Sequence, residues 1–134
     1  MGNRAVITTS DKKMGIYLHW NGGAESVLAF LEVAQSRGYR DPACDASYGM
    51  ARLCGLICEF FGPGGNSVGI GTLAELDTDN HDNGVYVVGA GWKIIERYGS
   101  GTEPTNSIDQ LDAKCRAQYE GIVAQLNAAS QVTS

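Results

Sequence analysis

The stretch Gly15-Ile16-Tyr17-Leu18-His19-Trp20-Asn21-Gly22-Gly23 constrains this chain more than any other. Ile16 and Leu18 alternate with Tyr17 and His19, the period of a half-buried β-strand. Two glycines follow at once, and an apolar pattern of helical period begins at Ala24. Glycine tolerates backbone angles and close approaches that a side chain blocks. One strand therefore delivers His19, Trp20 and Asn21 to the mouth of a strand-to-helix turn. The free N–H groups of a helix start attract anions, phosphate among them. In that setting Trp20 offers a stacking face to a base, His19 and Asn21 offer hydrogen bonds, and the N–H groups offer a phosphate cradle. A well-packed Trp beside a tight turn is the plainer reading of the same residues.

The remaining elements follow from periodicity and turn chemistry. Ala5-Val6-Ile7-Thr8-Thr9 is rich in β-branched residues and reads as a strand, paired antiparallel with residues 15–20 across a turn at Ser10-Asp11-Lys12-Lys13. Residues 24–37 form a helix whose apolar face is Val27, Leu28, Phe30, Leu31 and Ala34, with Gly38 as its stop. A second helix spans residues 47–61, with Ser47 as N-cap, and is apolar enough to be buried on most sides. A short glycine-containing strand at 67–72 comes next. A hairpin of residues 84–89 and 92–98 then turns on Gly89-Ala90-Gly91. Residues 99–105 read as a linker, Ser107 as the cap of a last helix from 108 to about 129, and 130–134 as a polar tail. The expected architecture is a single α+β domain over residues 1–134. It has an antiparallel sheet with two packed helices in a core of residues 1–98, and a C-terminal helix over 106–129.

In that last helix Ile108, Leu111, Cys115, Tyr119, Ile122 and Leu126 recur every three or four residues. The stripe is narrow, like a coiled-coil seam, and it follows a linker, so the helix is expected to reach out to a second subunit. Packing on its own domain is the alternative.

The chain carries a net charge of −5, against the basic face of a general DNA or RNA binder. No run of apolar residues is long enough to span a membrane, and Met1-Gly2-Asn3-Arg4 has no hydrophobic signal core, so the cytosol is the expected location. The four cysteines, Cys44, Cys54, Cys58 and Cys115, fit reduced thiols there; Cys54 and Cys58 share a helix face but lack a second close pair for zinc. The acidic run Asp77-Thr78-Asp79-Asn80-His81-Asp82-Asn83-Gly84 fails as a calcium loop. Started at Asp79 it places Gly84 correctly but puts Ala90 where a Glu is needed. It reads as a polar turn, with Asn83-Gly84 supplying positive φ, or as a ligand-binding loop whose Asn80, Asp82 and Asn83 grip sugar hydroxyls or a base edge. Metal and cofactor are not expected.

Catalytic patterns are thin. There are two histidines, no Gly-x-Ser-x-Gly elbow and no Walker phosphate loop. The chain is not expected to be an enzyme. Arg52 lies in an apolar helix, where an unpaired charge is costly, and so is expected to meet an anion or a carboxylate. Arg97, at the end of the last strand, and Arg116, on the last helix, are further candidates for an anion.

Taken together, Asn3-Arg4-Ala5-Val6-Ile7-Thr8, the Gly15-to-Gly23 stretch, Ala51-Arg52-Leu53-Cys54 and the loop from Leu76 to Tyr86 resemble the first-described type of phage Thoeris anti-defence protein. The resemblance covers most of the chain as an overall pattern without a short diagnostic motif. It implies a sponge for cyclic ADP-ribose signals acting in the host bacterial cytosol, assembled as a dimer or hexamer. Such a sponge holds ligand at subunit interfaces without cleaving it, and some members take cyclic di- or trinucleotides at separate pockets. The candidate ligand-binding residues, chosen on chemistry, are His19, Trp20, Asn21, Arg52, Asn80, Asp82, Asn83, Arg97 and Arg116. A protein-binding inhibitor or scaffold, acting through the last helix or the acidic loop, is the alternative function.

Overall fold

The computed structural model describes residues 3–63, 67–99 and 106–133, with side chains described up to residue 128. Five strands and three helices run in the order β1 (Ala5–Thr9), β2 (Met14–Leu18), α1 (Ala24–Ser36), α2 (Ala46–Phe61), β3 (Val68–Thr72), β4 (Val85–Val88), β5 (Ile94–Tyr98) and α3 (Ala113–Thr133). The class is α+β. The sheet order is β3-β2-β1-β4-β5.

The expected wholly antiparallel sheet is corrected to a mixed one. β1 and β2 form the expected hairpin, with Ile7 opposite Ile16, and β3 extends it with Ile16 opposite Ile70. β4, however, lies parallel to β1, with Val6 opposite Val85 and Thr9 opposite Val88. The reason lies in the loop before β4. Asn83 N–H donates to Arg4 O at 3.0 Å, and Val6 N–H donates to Gly84 O at 2.9 Å. The loop thus returns the chain to the end at which β1 begins, so both strands start together. All five residues of β1 are buried, as suits a strand flanked on both sides and covered on both faces.

On one face Ala5, Ile7, Ile16, Leu18, Tyr86 and Val88 meet α1 through Val27, Phe30, Leu31 and Ala34. The other face carries a smaller cluster of Val6, Val85 and Val87, covered by Tyr17, Leu73, Leu76 and Tyr98. α2 is capped by Asp45, whose carboxylate accepts Tyr48 N–H at 3.1 Å, two residues before the expected Ser47. α2 is also less buried than its composition suggests: Met50, Leu53, Leu56 and Ile57 face the core, while Ala51, Arg52, Gly55 and Glu59 are exposed. Trp92 leaves β5 and belongs to the preceding turn. It adopts φ 60° with its indole N–H donating to Tyr39 O at 2.8 Å. Of the expected linker, residues 100–105 lie outside the described residues.

The last helix begins later than its apolar pattern, after a short 3-10 turn at Ile108–Gln110, with Asp112 accepting Cys115 N–H at 2.8 Å. It does not reach away. α3 packs along α1 and against α2, and Tyr119, Ile122 and Leu126 enter the main core. The seam therefore serves its own domain, where its residues join the cluster that holds Val27, Phe30, Leu31 and Ala34 of α1. Arg37, at the end of α1, holds the arrangement. Its guanidinium donates to both carboxylate oxygens of Glu59 at 3.0 Å each and to Leu126 O at 2.9 Å, tying α2 and α3 to α1. The Glu59 carboxylate in turn raises the pKa of Arg37.

Leu126 is 1% exposed. Its replacement by Ala should cost about 2–5 kcal/mol of stability, read by denaturant unfolding. Ile122→Asp should lower the melting temperature to the same extent at every protein concentration. A loss that grows on dilution would place the stripe in a subunit interface instead.

Candidate functional site

The start of β1, the end of β2 and the loop before β4 meet at one end of the sheet. Asn3 N–H donates to His19 O at 2.9 Å, and Gly22 N–H donates back to Asn3 O at 2.8 Å. A Cβ on Gly22 would lie 2.6 Å from Asn3 O and 2.7 Å from the Ala5 Cβ, so only glycine passes there. The double glycine thus serves strand packing. The positive backbone angle of the turn falls on Asn21, at φ 59°, while Gly23 is an ordinary extended N-cap. Asn21 braces the turn by donating from Nδ2 to Ser26 Oγ at 3.1 Å.

The acidic loop is locked to this joint. Arg4 donates to Asp82 Oδ2 from its backbone N–H at 3.0 Å and from Nε at 2.9 Å. The paired guanidinium lowers the pKa of the Asp82 carboxyl. Asn83 Nδ2 donates to Asn3 Oδ1 at 2.6 Å and to Arg4 O at 3.1 Å. Asn80 is fully buried: its amide donates to Asp77 O and Gly84 O, and its oxygen accepts the N–H groups of Asp82 and Gly84. These three candidates are brought together, and each uses side-chain hydrogen bonds to hold the fold. Arg97 joins them, donating to Asn83 O at 2.8 Å with its guanidinium 3.9 Å from the centre of the Tyr86 ring. Tyr86 hydroxyl donates to Gly22 O at 2.7 Å, and burial raises its pKa.

Beside the joint opens a cavity of about 530 Å³ between the β2–α1 turn, the end of α2 and the middle of α3. Asn3, Trp20, Asn21, Glu25 and Ser26 line it from one side and Phe60, Gln118, Ile122 and Gln125 from the other. Trp20 remains 43% exposed, unusual for so large an apolar side chain, and leans edge-on against His19 at 5.0 Å. His19 itself faces elsewhere. Its Nδ1 lies 3.0 Å from the Tyr17 hydroxyl, and it lines a second depression, of about 390 Å³, with Tyr17, Ser67, Val68 and Gly69.

The structure therefore gathers Trp20 and Asn21 at the cavity, ties Asn80, Asp82, Asn83 and Arg97 into the adjoining joint, and turns His19 to the second depression. It separates Arg52 and Arg116 from the cavity. Arg52 is exposed on the wet face of α2, 4.9 Å from the Tyr48 ring centre and 6.0 Å from that of Tyr39. The expectation of a charge trapped among apolar neighbours is thereby corrected. Arg116 is exposed on α3 and, two residues before Gln118, sits roughly 160° away around the helix. Sequence reasoning missed Glu25, Ser26, Phe60, Gln118 and Gln125. Gln118 and Gln125 are seven residues apart and flank Ile122, a polar margin that becomes legible once that stripe is placed on α1.

Among the described residues, no group of three or more His, Cys, Asp or Glu side chains is placed to hold a metal, and no helix is long and apolar enough to cross a membrane. Burial pushes the Cys54 thiol up to about 11, beside Cys58, which suits an inert packed thiol. Comparison of the chain with known protein families, characterised proteins and solved structures finds no match.

Asn80→Ala should unseat the acidic loop and leave buried backbone groups unpaired, at about 1–3 kcal/mol, read as a lower melting temperature. The Arg4–Asp82 pair predicts a pH dependence. The folded pKa of Asp82 is depressed, so its stabilisation is present above the ordinary value of 3.8 and is lost as pH falls through the lower folded value. The difference in melting temperature between the wild type and Asp82→Asn should therefore shrink as pH falls below about 4. A constant difference would assign the effect to shape instead of charge.

Proposed function

We propose that this protein is a non-catalytic binding protein that sequesters a cyclic ADP-ribose isomer. The observation that carries the reading is the cavity: about 530 Å³, with a half-exposed indole at its mouth and four amide side chains, Asn3, Asn21, Gln118 and Gln125, around it. That volume lies within the range of small-molecule sites. Amide side chains both donate and accept hydrogen bonds, as base edges and sugar hydroxyls require. An indole face stacks on a base. The likeness of the sequence to phage anti-defence sponges points to the same class of ligand. Sequestration needs tight binding in a pocket that does no chemistry, and Ser26, the one hydroxyl on the cavity wall among the described residues, accepts a hydrogen bond from Asn21 and is buried. Association into dimers or hexamers, and binding of cyclic di- or trinucleotides at other pockets, belong to the same proposal.

Calorimetry of the pure protein against cyclic ADP-ribose isomers and cyclic di- and trinucleotides tests this. At least one cyclic ADP-ribose isomer should bind with a defined stoichiometry and be recovered intact after heat denaturation. Trp20→Ala should weaken it by about 1–3 kcal/mol, the worth of one stacked base. Recovery of linear ADP-ribose would make the protein an enzyme, and absence of heat with every isomer would overturn the reading.

A further inference from the structure

Among the described residues Glu25 is the one ionisable side chain on the cavity wall. Its carboxylate folds back over the start of α1. A Cβ on Gly23 would lie 2.7 and 2.9 Å from its two oxygens. Negative charge is favourable at that position, the second residue of the helix. Gly23, the N-cap, offers no side chain of its own to the first turn. The place where a phosphate would sit at a helix start is therefore already held by a carboxylate. Among the described residues the Glu25 carboxylate has neither a hydrogen-bond partner nor an ion-pair partner. The other described cavity-lining side chains are neutral, and the two arginines of the adjoining joint are engaged: Arg4 with Asp82, and Arg97 with Tyr86 and Asn83.

Among the described residues the cavity wall carries one carboxylate and no cation, a lining that repels a phosphate and draws in neutral donors. Two carboxylate oxygens side by side match the spacing of two vicinal hydroxyls, the way acidic residues take ribose in dinucleotide sites. We infer that the cavity receives the adenosine portion of its ligand, with Glu25 accepting hydrogen bonds from a ribose cis-diol left free by the ring closure and Trp20 stacking on the base. The pyrophosphate stays outside. The inference rests on the proposed nucleotide-type ligand and replaces the phosphate cradle expected at the double glycine.

The test is quenching of Trp20 fluorescence by adenosine, 2′-deoxyadenosine and adenosine 3′-phosphate, with the cyclic ADP-ribose isomers titrated in parallel by calorimetry. Wild type should bind adenosine at least about tenfold more tightly than either analogue, the scale of one lost charge-assisted hydrogen bond. In Glu25→Gln both preferences should fall to within about twofold, with the helix content unchanged by circular dichroism. Should that variant not fold, Glu25→Asp keeps the charge on a shorter stem: it should still reject the 3′-phosphate while losing the preference for the diol. Equal binding of all three nucleosides by wild type, or unchanged preferences in Glu25→Gln, overturns the role of Glu25 while leaving a ligand-binding cavity intact. If the cyclic isomers bind and no nucleoside does, the adenosine portion is not what enters, and the inference fails alone. Failure of every probe removes the functional reading together with it.

Discussion

Every element of this protein takes its position from β1. A strand hydrogen-bonded on both edges and buried on both faces leaves no polar backbone group to water, so its neighbours must be exact in register. Ala5 and Ile7 bind it to the helical layer, and Val6 binds it to the smaller cluster behind. The two residues before it hold the β2–α1 turn through Asn3 and the acidic loop through Arg4. The two features that look most like ligand chemistry in the sequence, the double glycine and the Asp/Asn run, are both fastened to the start of this strand.

That fastening explains why the cavity lies where it does. Asn80, Asp82 and Asn83 are engaged in closing the sheet, and the open space lies between the end of the sheet and α3. Gln118 and Gln125 face it because Tyr119, Ile122 and Leu126, between and beyond them, are anchored in the core. A site made this way is as rigid as the docking of α3, and Arg37 is the residue that clamps that docking.

Much of the local structure was legible in the sequence. The hairpin of β1 and β2, the extent of α1 and the turn at Asn83-Gly84, with Gly84 at φ 68°, follow from alternation, helical period and glycine chemistry. Long-range choices were not. Val85 begins the expected hairpin with β5, but nothing local tells it also to lie parallel to Val6, and nothing in the α3 stripe says whose apolar surface covers it. Asp45 won the cap of α2 from Ser47 because the helix begins at Ala46, a boundary that composition leaves open. At the site, Trp20 and Asn21 were readable as residues at a strand-to-helix mouth. Glu25 was not, because a carboxylate in a first helical turn is ordinary until the cavity above it is seen.

The parallel pair at the centre has a consequence for how the chain acquires its shape. Asn3 and Asn83, joined by a hydrogen bond, are 80 residues apart, and the strands they introduce are equally distant. Such pairing closes a loop of most of the domain before it is rewarded, which slows folding. At ribosomal rates of about 5–20 residues per second, β1 waits on the order of 4–16 s before β4 arrives. Through that interval the edge of β1, all β-branched or small, is open to any other extended chain, so a nascent copy needs either dilution or a chaperone until Val85 closes it.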